Sequence, residues 1–211
     1  MWTWLIETLK NGMDFFHGVT GSYGLAIIIL TVIIKVILLP FGFSQISMTQ
    51  KMQAIQPELE ELKKKYRNDP QKLQKKQLEL WQKHGINPLA GCLPMLLQFP
   101  FLIAFFQVLY GFDYIGASQF LWIPDLSRPD PIYILPILAA ATTYWQTRIA
   151  SASSDPSQKS MMYIFPIMIG WFSTRYAAGL SVYWVVSNLF QIVQQYLMPK
   201  PKAGAAKGET G

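Results

Sequence analysis

Lys35 has the most unusual chemical setting in this sequence. It places one ammonium group within Tyr23–Pro40, YGLAIIILTVIIKVILLP, a run that is otherwise almost wholly apolar. Between Leu25 and Leu39 stand twelve Leu, Ile or Val residues. Each favours membrane insertion by roughly 0.3 to 0.6 kcal/mol, against a cost of roughly 2.5 to 3.5 kcal/mol for a central lysine. The segment is therefore expected to insert in spite of its charge. Ionisable groups inside such spans usually face a protein interior or a wet cavity, which makes Lys35 a candidate cationic site. The plainer reading is snorkelling, with the ammonium reaching towards an interface near Phe43, about 12 Å further along a helix.

Polar groups that could act with this cation are not scattered. Ser181, Trp184, Asn188, Gln191 and Gln195 advance by three, four, three and four residues and so share one helical face. Gln98 and Gln146 place amides in two other apolar stretches, the second close to Thr142 and Thr143. Their bland role is hydrogen bonding between helices, worth about 0.6 kcal/mol each. The chemistry on offer is non-covalent: attraction of an anion and hydrogen bonding in apolar surroundings. Cys92 is alone, and His17 and His84 have no ligand spacing, so neither a metal nor another cofactor is expected. The predicted spans contain no Asp, Glu or His, which removes paired carboxylates and nucleophile–base pairs and with them the case for an enzyme.

The elements that must position these groups follow from composition and charge. A chain of 211 residues that is 51% hydrophobic and 14% charged reads as one all-α polytopic membrane domain. Residues 1–22 show no signal-peptide pattern. They place Trp2, Leu5, Ile6, Leu9, Met13 and Phe16 at helical spacing, which predicts an amphipathic interfacial helix. Residues 23–43 form the first predicted span. Residues 44–88 form a cytoplasmic antiparallel helical hairpin: from Phe41 to Gly91 there are nine cations against five acids, and positive charge collects inside. Met48, Met52, Ile55, Leu59, Leu62 and Tyr66 supply its seam, Asn68-Asp69-Pro70 its turn and Gly85 its end.

Residues 89–110 are a second uncharged span, which Pro94 and Pro100 should kink. Residues 111–131, with Asp113, Asp125 and Asp130 against Arg128, belong outside. Residues 132–149 form the third span, 150–160 an inside link, 161–176 a short fourth span interrupted by Pro166, and 180–197 the fifth. Residues 198–211 are a disordered basic tail, also inside. The N-terminus is then outside and the C-terminus in the cytoplasm.

Several runs resemble one family in order and spacing. They are YGLAIIILTVIIKVILLP, IQPELEELKKKYRNDPQKL, NPLAGCLPMLLQFPF, QKSMMYIFPIMIGWF and AAGLSVYWVVSNLFQIVQQY. From Tyr23 to Leu197 the chain is similar to the YidC membrane protein insertases, bacterial relatives of the Oxa and Albino insertases, in the short form without a large periplasmic domain. The resemblance implies five transmembrane helices with a cytoplasmic hairpin in a bacterial inner (plasma) membrane. It also implies a hydrophilic groove, open to the cytoplasm and to lipid, that inserts and helps fold nascent membrane proteins. Lys35 stands where the family usually has arginine; the charge is kept and the planar fork that grips a carboxylate is not. Gln98, Gln146, Trp184, Asn188 and Gln191 are the candidate groove-lining groups. The implied partners are nascent membrane proteins, the ribosome nascent-chain complex, the Sec translocon and membrane lipids, with no DNA. A small solute transporter or channel is the rival reading of the same polar stripe, but such proteins usually carry an internal repeat and none is visible.

Overall fold

Pro40 decides where the first long helix turns. Its ring lacks an N–H and collides with the carbonyl four residues back, that of Val36. In the computed structural model α2 (Tyr23–Ile37) stops at Leu38, and α3 (Leu39–Ala54) leaves it at a bend of 67°. The segment 23–43 is thus not one straight span. The structure describes residues 2–86, 93–110, 119–150 and 156–198, and within these the side chains of all but 93–98, 110 and 156–159. Of the expected inside link 150–160, residues 151–155 lie outside the described residues and 156–160 already belong to the helix that starts at Pro156; of the basic tail, all residues after Met198 lie outside them.

The other elements are α1 (Trp2–Thr20), α4 (Gln56–Lys65), α5 (Pro70–Lys83), α6 (Leu93–Tyr110), α7 (Ile134–Ala150), α8 (Pro156–Ser173) and α9 (Ala178–Leu197). The described residues are all-α, with one isolated bridge between Phe120 and Ile123. Pro100 and Pro166 sit inside α6 and α8 without ending either helix. Among the described residues no single helix is long and apolar enough to cross a membrane alone; α2 and α3 meet that measure together, as a bent pair.

The main core is where α1, α2, α6 and α9 meet. Leu9 and Met13 of α1 are buried with Tyr23 and Ile27 of α2, Val108 of α6 and Val182 of α9. Phe105 stacks on Tyr183 at 4.4 Å between ring centres. The predicted apolar stripe of α1 from Leu5 to Phe16 is spent on this core, whereas Trp2, at its start, stays exposed with Trp4, Phe15 and Val19. Close approach needs small residues where side-chain packing holds helices together. Gly170 of α8 lies against Ala140 of α7, and the ring of Phe120 lies directly on Gly24.

Phe120 belongs to the segment 119–133, which closes one end of the bundle. Ile123 and Leu126 are fully buried there. The carbonyls of Leu126 and Arg128 accept from the amides of Gly179 and Ala178 at 3.0 and 2.8 Å, so the segment satisfies donors that the start of α9 would otherwise leave open. Buried Asp130 accepts from the Leu135 amide at 2.7 Å, the Ile132 amide at 3.2 Å and the Trp122 indole at 3.2 Å. It anchors the segment to the start of α7.

At the opposite end α4 and α5 pair as the predicted hairpin. Asp69 accepts from the Lys72 amide at 3.0 Å and starts α5. Gly85 ends it at φ +61°, where the Ile86 amide donates to the Trp81 carbonyl at 2.8 Å and the Gly85 amide to that of Gln82 at 3.1 Å. The seam is not one helix, because Pro57 falls in the first turn of α4 and the chain breaks at Ile55. Its contacts survive the break: Ile55, Leu59 and Ile86 are buried, with Met48, Met52, Leu80 and Trp81 against them. This cluster is separate from the main core.

Candidate functional site

The bend at Leu38 carries α3 away from α2 and opens a space between them and the last turns of α7 and α9. A cavity of about 120 Å³ lies there, lined among others by Lys35, Gly42, Gln45, Thr49, Gln146, Gln191, Gln194 and Gln195. Lys35 is the charged residue in the lining; five glutamines and Thr49 share the rest with Leu38, Phe41, Gly42, Ile46 and Ala150. It is half-buried. A cation surrounded by neutral dipoles of this kind attracts an anion more strongly than it would in bulk water, because fewer solvent molecules screen it.

The wall opposite Lys35 is fixed by hydrogen bonds between α7 and α9. Gln146 donates from Nε2 to Oε1 of Gln191 at 3.1 Å. Further along α9, Asn188 Nδ2 donates to the hydroxyls of Thr143 at 2.9 Å and Thr142 at 3.2 Å, and the Trp184 indole donates to Thr143 at 2.9 Å. The threonine hydroxyls donate in turn to the carbonyls of Leu138 and Ala139 at 2.7 and 2.6 Å. At the hairpin end the Ile149 carbonyl, in the last turn of α7, accepts from Gln53 at 3.2 Å and Gln195 at 3.3 Å. This ties α3, α7 and α9 together beside the cavity and satisfies a carbonyl that the helix itself leaves open.

Of the six residues singled out from the sequence, Lys35, Gln146 and Gln191 come together around this cavity. Asn188 and Trp184 lie about 5 and 11 Å further along α9 and reach α7. Gln98 falls within α6, and its side chain lies outside the described residues. Thr31, one turn before Lys35 on α2, is buried and donates to the Ile27 carbonyl at 2.6 Å.

A family model described as 60Kd inner membrane protein matches residues 15–205. The chain belongs to that family. Among its relatives, a membrane protein insertase YidC from Caldanaerobacter subterraneus is 45% identical over 94% of this chain and 95% of its own length. One of the same name from Fusobacterium nucleatum is 42% identical over 95% of this chain and 100% of its own, and membrane protein insertase MisCA from Bacillus subtilis is 41% identical over 94% and 78%. A crystal structure described as an active YidC insertase with its first transmembrane domain resolved superposes with a TM-score of 0.76 at 27% identity; 94% of this chain covers 47% of that one. As a member of the 60Kd inner membrane protein family, the chain is assigned to the bacterial inner membrane.

Three polar lining residues of this family member, Gln45, Thr49 and Gln194, are not among those that the sequence singles out. Gln45 and Thr49 follow Gly42 at three and seven residues, a helical face, but they fall in a stretch that its charge marked as water-soluble. Gln194 follows Gln191 at three residues, beside Gln195 at four, and both spacings bring a side chain to the same face.

Proposed function

We propose that this chain is a membrane protein insertase that passes the polar tail of a nascent membrane protein into the Lys35 cavity. The observation that carries the proposal is the meeting of Lys35 with the Gln146–Gln191 pair beside the bend, at the hairpin end of the bundle. The names of its relatives point the same way. A polar tail entering hydrocarbon loses water from its backbone and charged groups, at a cost of several kcal/mol per unsatisfied group. A cavity rich in amides lowers that cost over part of the path, and Lys35 draws acidic residues towards it. The apolar segment then leaves between helices into lipid, against the exposed faces of α2 and α8. No covalent step is involved, and the protein is not an enzyme.

In this reading Trp184, Asn188 and Gln98 continue the groove inward from Gln191. Five spans cross the membrane: α2 with the first turn of α3, then α6, α7, α8 and α9. The N-terminus is outside, the C-terminus cytoplasmic, and the segment 119–133 seals the outer end. The hairpin and basic tail receive the ribosome nascent-chain complex, with the Sec translocon as a further partner and anionic lipid close to the lysines. The test is reconstitution of the purified chain in liposomes with a single-span reporter made by cell-free translation. Protease protection of the reporter tail above that of empty liposomes is expected. Equal protection with and without the chain overturns the proposal.

A further inference from the structure

Gln194 lines the Lys35 cavity and is 7% exposed. Its Nε2 is buried without a hydrogen-bond partner. The neighbouring amides are committed: Gln191 accepts from Gln146, and Gln195 donates to the Ile149 carbonyl. The Gln194 carboxamide instead rests against Gly42 of α3, so closely that a Cβ there would overlap it. The absence of a side chain at residue 42 is what makes its seat. A buried donor with nothing to donate to opposes folding, so its placement at the edge of a polar cavity is explained by an acceptor that arrives later.

We infer that Gln194 is a substrate-contacting residue whose amide swings off Gly42 and donates to main-chain carbonyl oxygens of the entering polypeptide. The inference rests on the insertase reading and adds a second recognition element to it. Lys35 selects by charge, whereas a neutral N–H matches the neutral acceptor that every residue of an extended tail carries. In a setting poor in water those carbonyls need donors whatever the side chains are. Gln194 therefore acts on acidic and neutral tails alike.

Gln194→Met tests this, since it keeps the length of the side chain and removes the donor. Wild type and variant are compared in liposomes with one acidic-tailed and one neutral-tailed reporter, and their thermal unfolding is followed in detergent. Insertion of both reporters is expected to fall by a similar factor, about fivefold for one hydrogen bond lost. The unfolding temperature is expected to stay level or rise, because the unspent donor is gone. Unchanged insertion of both reporters overturns the inference, and so does a loss confined to the acidic tail. A loss of insertion with a lowered unfolding temperature makes Gln194 a packing residue and also overturns it. Wild type that inserts neither reporter overturns the insertase reading and this inference with it.

Discussion

Replacing Lys35 with alanine separates an electrostatic role from a snorkelling one. A sphere with the cavity's volume of about 120 Å³ has a radius of about 3 Å. A carboxylate held within it thus sits about 6 Å from the ammonium, an attraction of about 3 kcal/mol at an effective dielectric of about 20 and about 0.7 kcal/mol at that of water. Since each 1.4 kcal/mol is a factor of ten, Lys35→Ala should lower insertion of an acidic-tailed reporter by between about threefold and about a hundredfold. A matched neutral tail should change less than twofold. Lys35→Arg should keep both, and Lys35→Glu should fall below Lys35→Ala for the acidic tail alone. The assay is protease protection in cells depleted of their own insertase, with each variant at equal membrane level. Equal insertion of both reporters by Lys35→Ala refutes the electrostatic argument and restores the snorkelling lysine.

Asp130→Ala should lower stability by about 3 kcal/mol, because two amides and the Trp122 indole lose a buried acceptor. Asp130→Asn, with one acceptor oxygen kept, should cost about half as much, and thermal unfolding in detergent measures both. Deleting residues 56–83 with a short Gly/Ser replacement should leave the unfolding temperature of the helical core within a few degrees of wild type, because the hairpin cluster is separate from the main core. Its insertion activity should fall in the liposome assay. Accessibility tags at Lys65 and the C-terminus should read cytoplasmic, and one at Ser118 external; a cytoplasmic Ser118 contradicts the five-span arrangement.

The helical character of the apolar runs and their order were readable from local chemistry. Asp69-Pro70 and Gly85 set backbone conformations within a few residues of themselves, so the hairpin's turn and end fall where the sequence predicts them. Tertiary packing decided other features. The apolar run continues past Pro40, so hydropathy alone could not show that α2 and α3 part at 67°, and that angle opens the cavity. Charge dominates the neighbourhood of Gln45 and Thr49 and predicts a water-soluble stretch, yet the bend turns their face towards Lys35.

The polar stripe on the last helix marks the limit of what the sequence by itself determined. Its spacing of three and four residues established that Trp184, Asn188 and Gln191 share a face, since helical periodicity is a local property. What each of them meets depended on where Thr142, Thr143 and Gln146 lie opposite on α7. That register comes from helix–helix contacts between residues more than forty positions apart, and no local spacing encodes it. Gln194 is the sharpest case: its sequence position makes it one more amide on the stripe, and only the approach of Gly42 from another helix leaves its N–H buried and unspent.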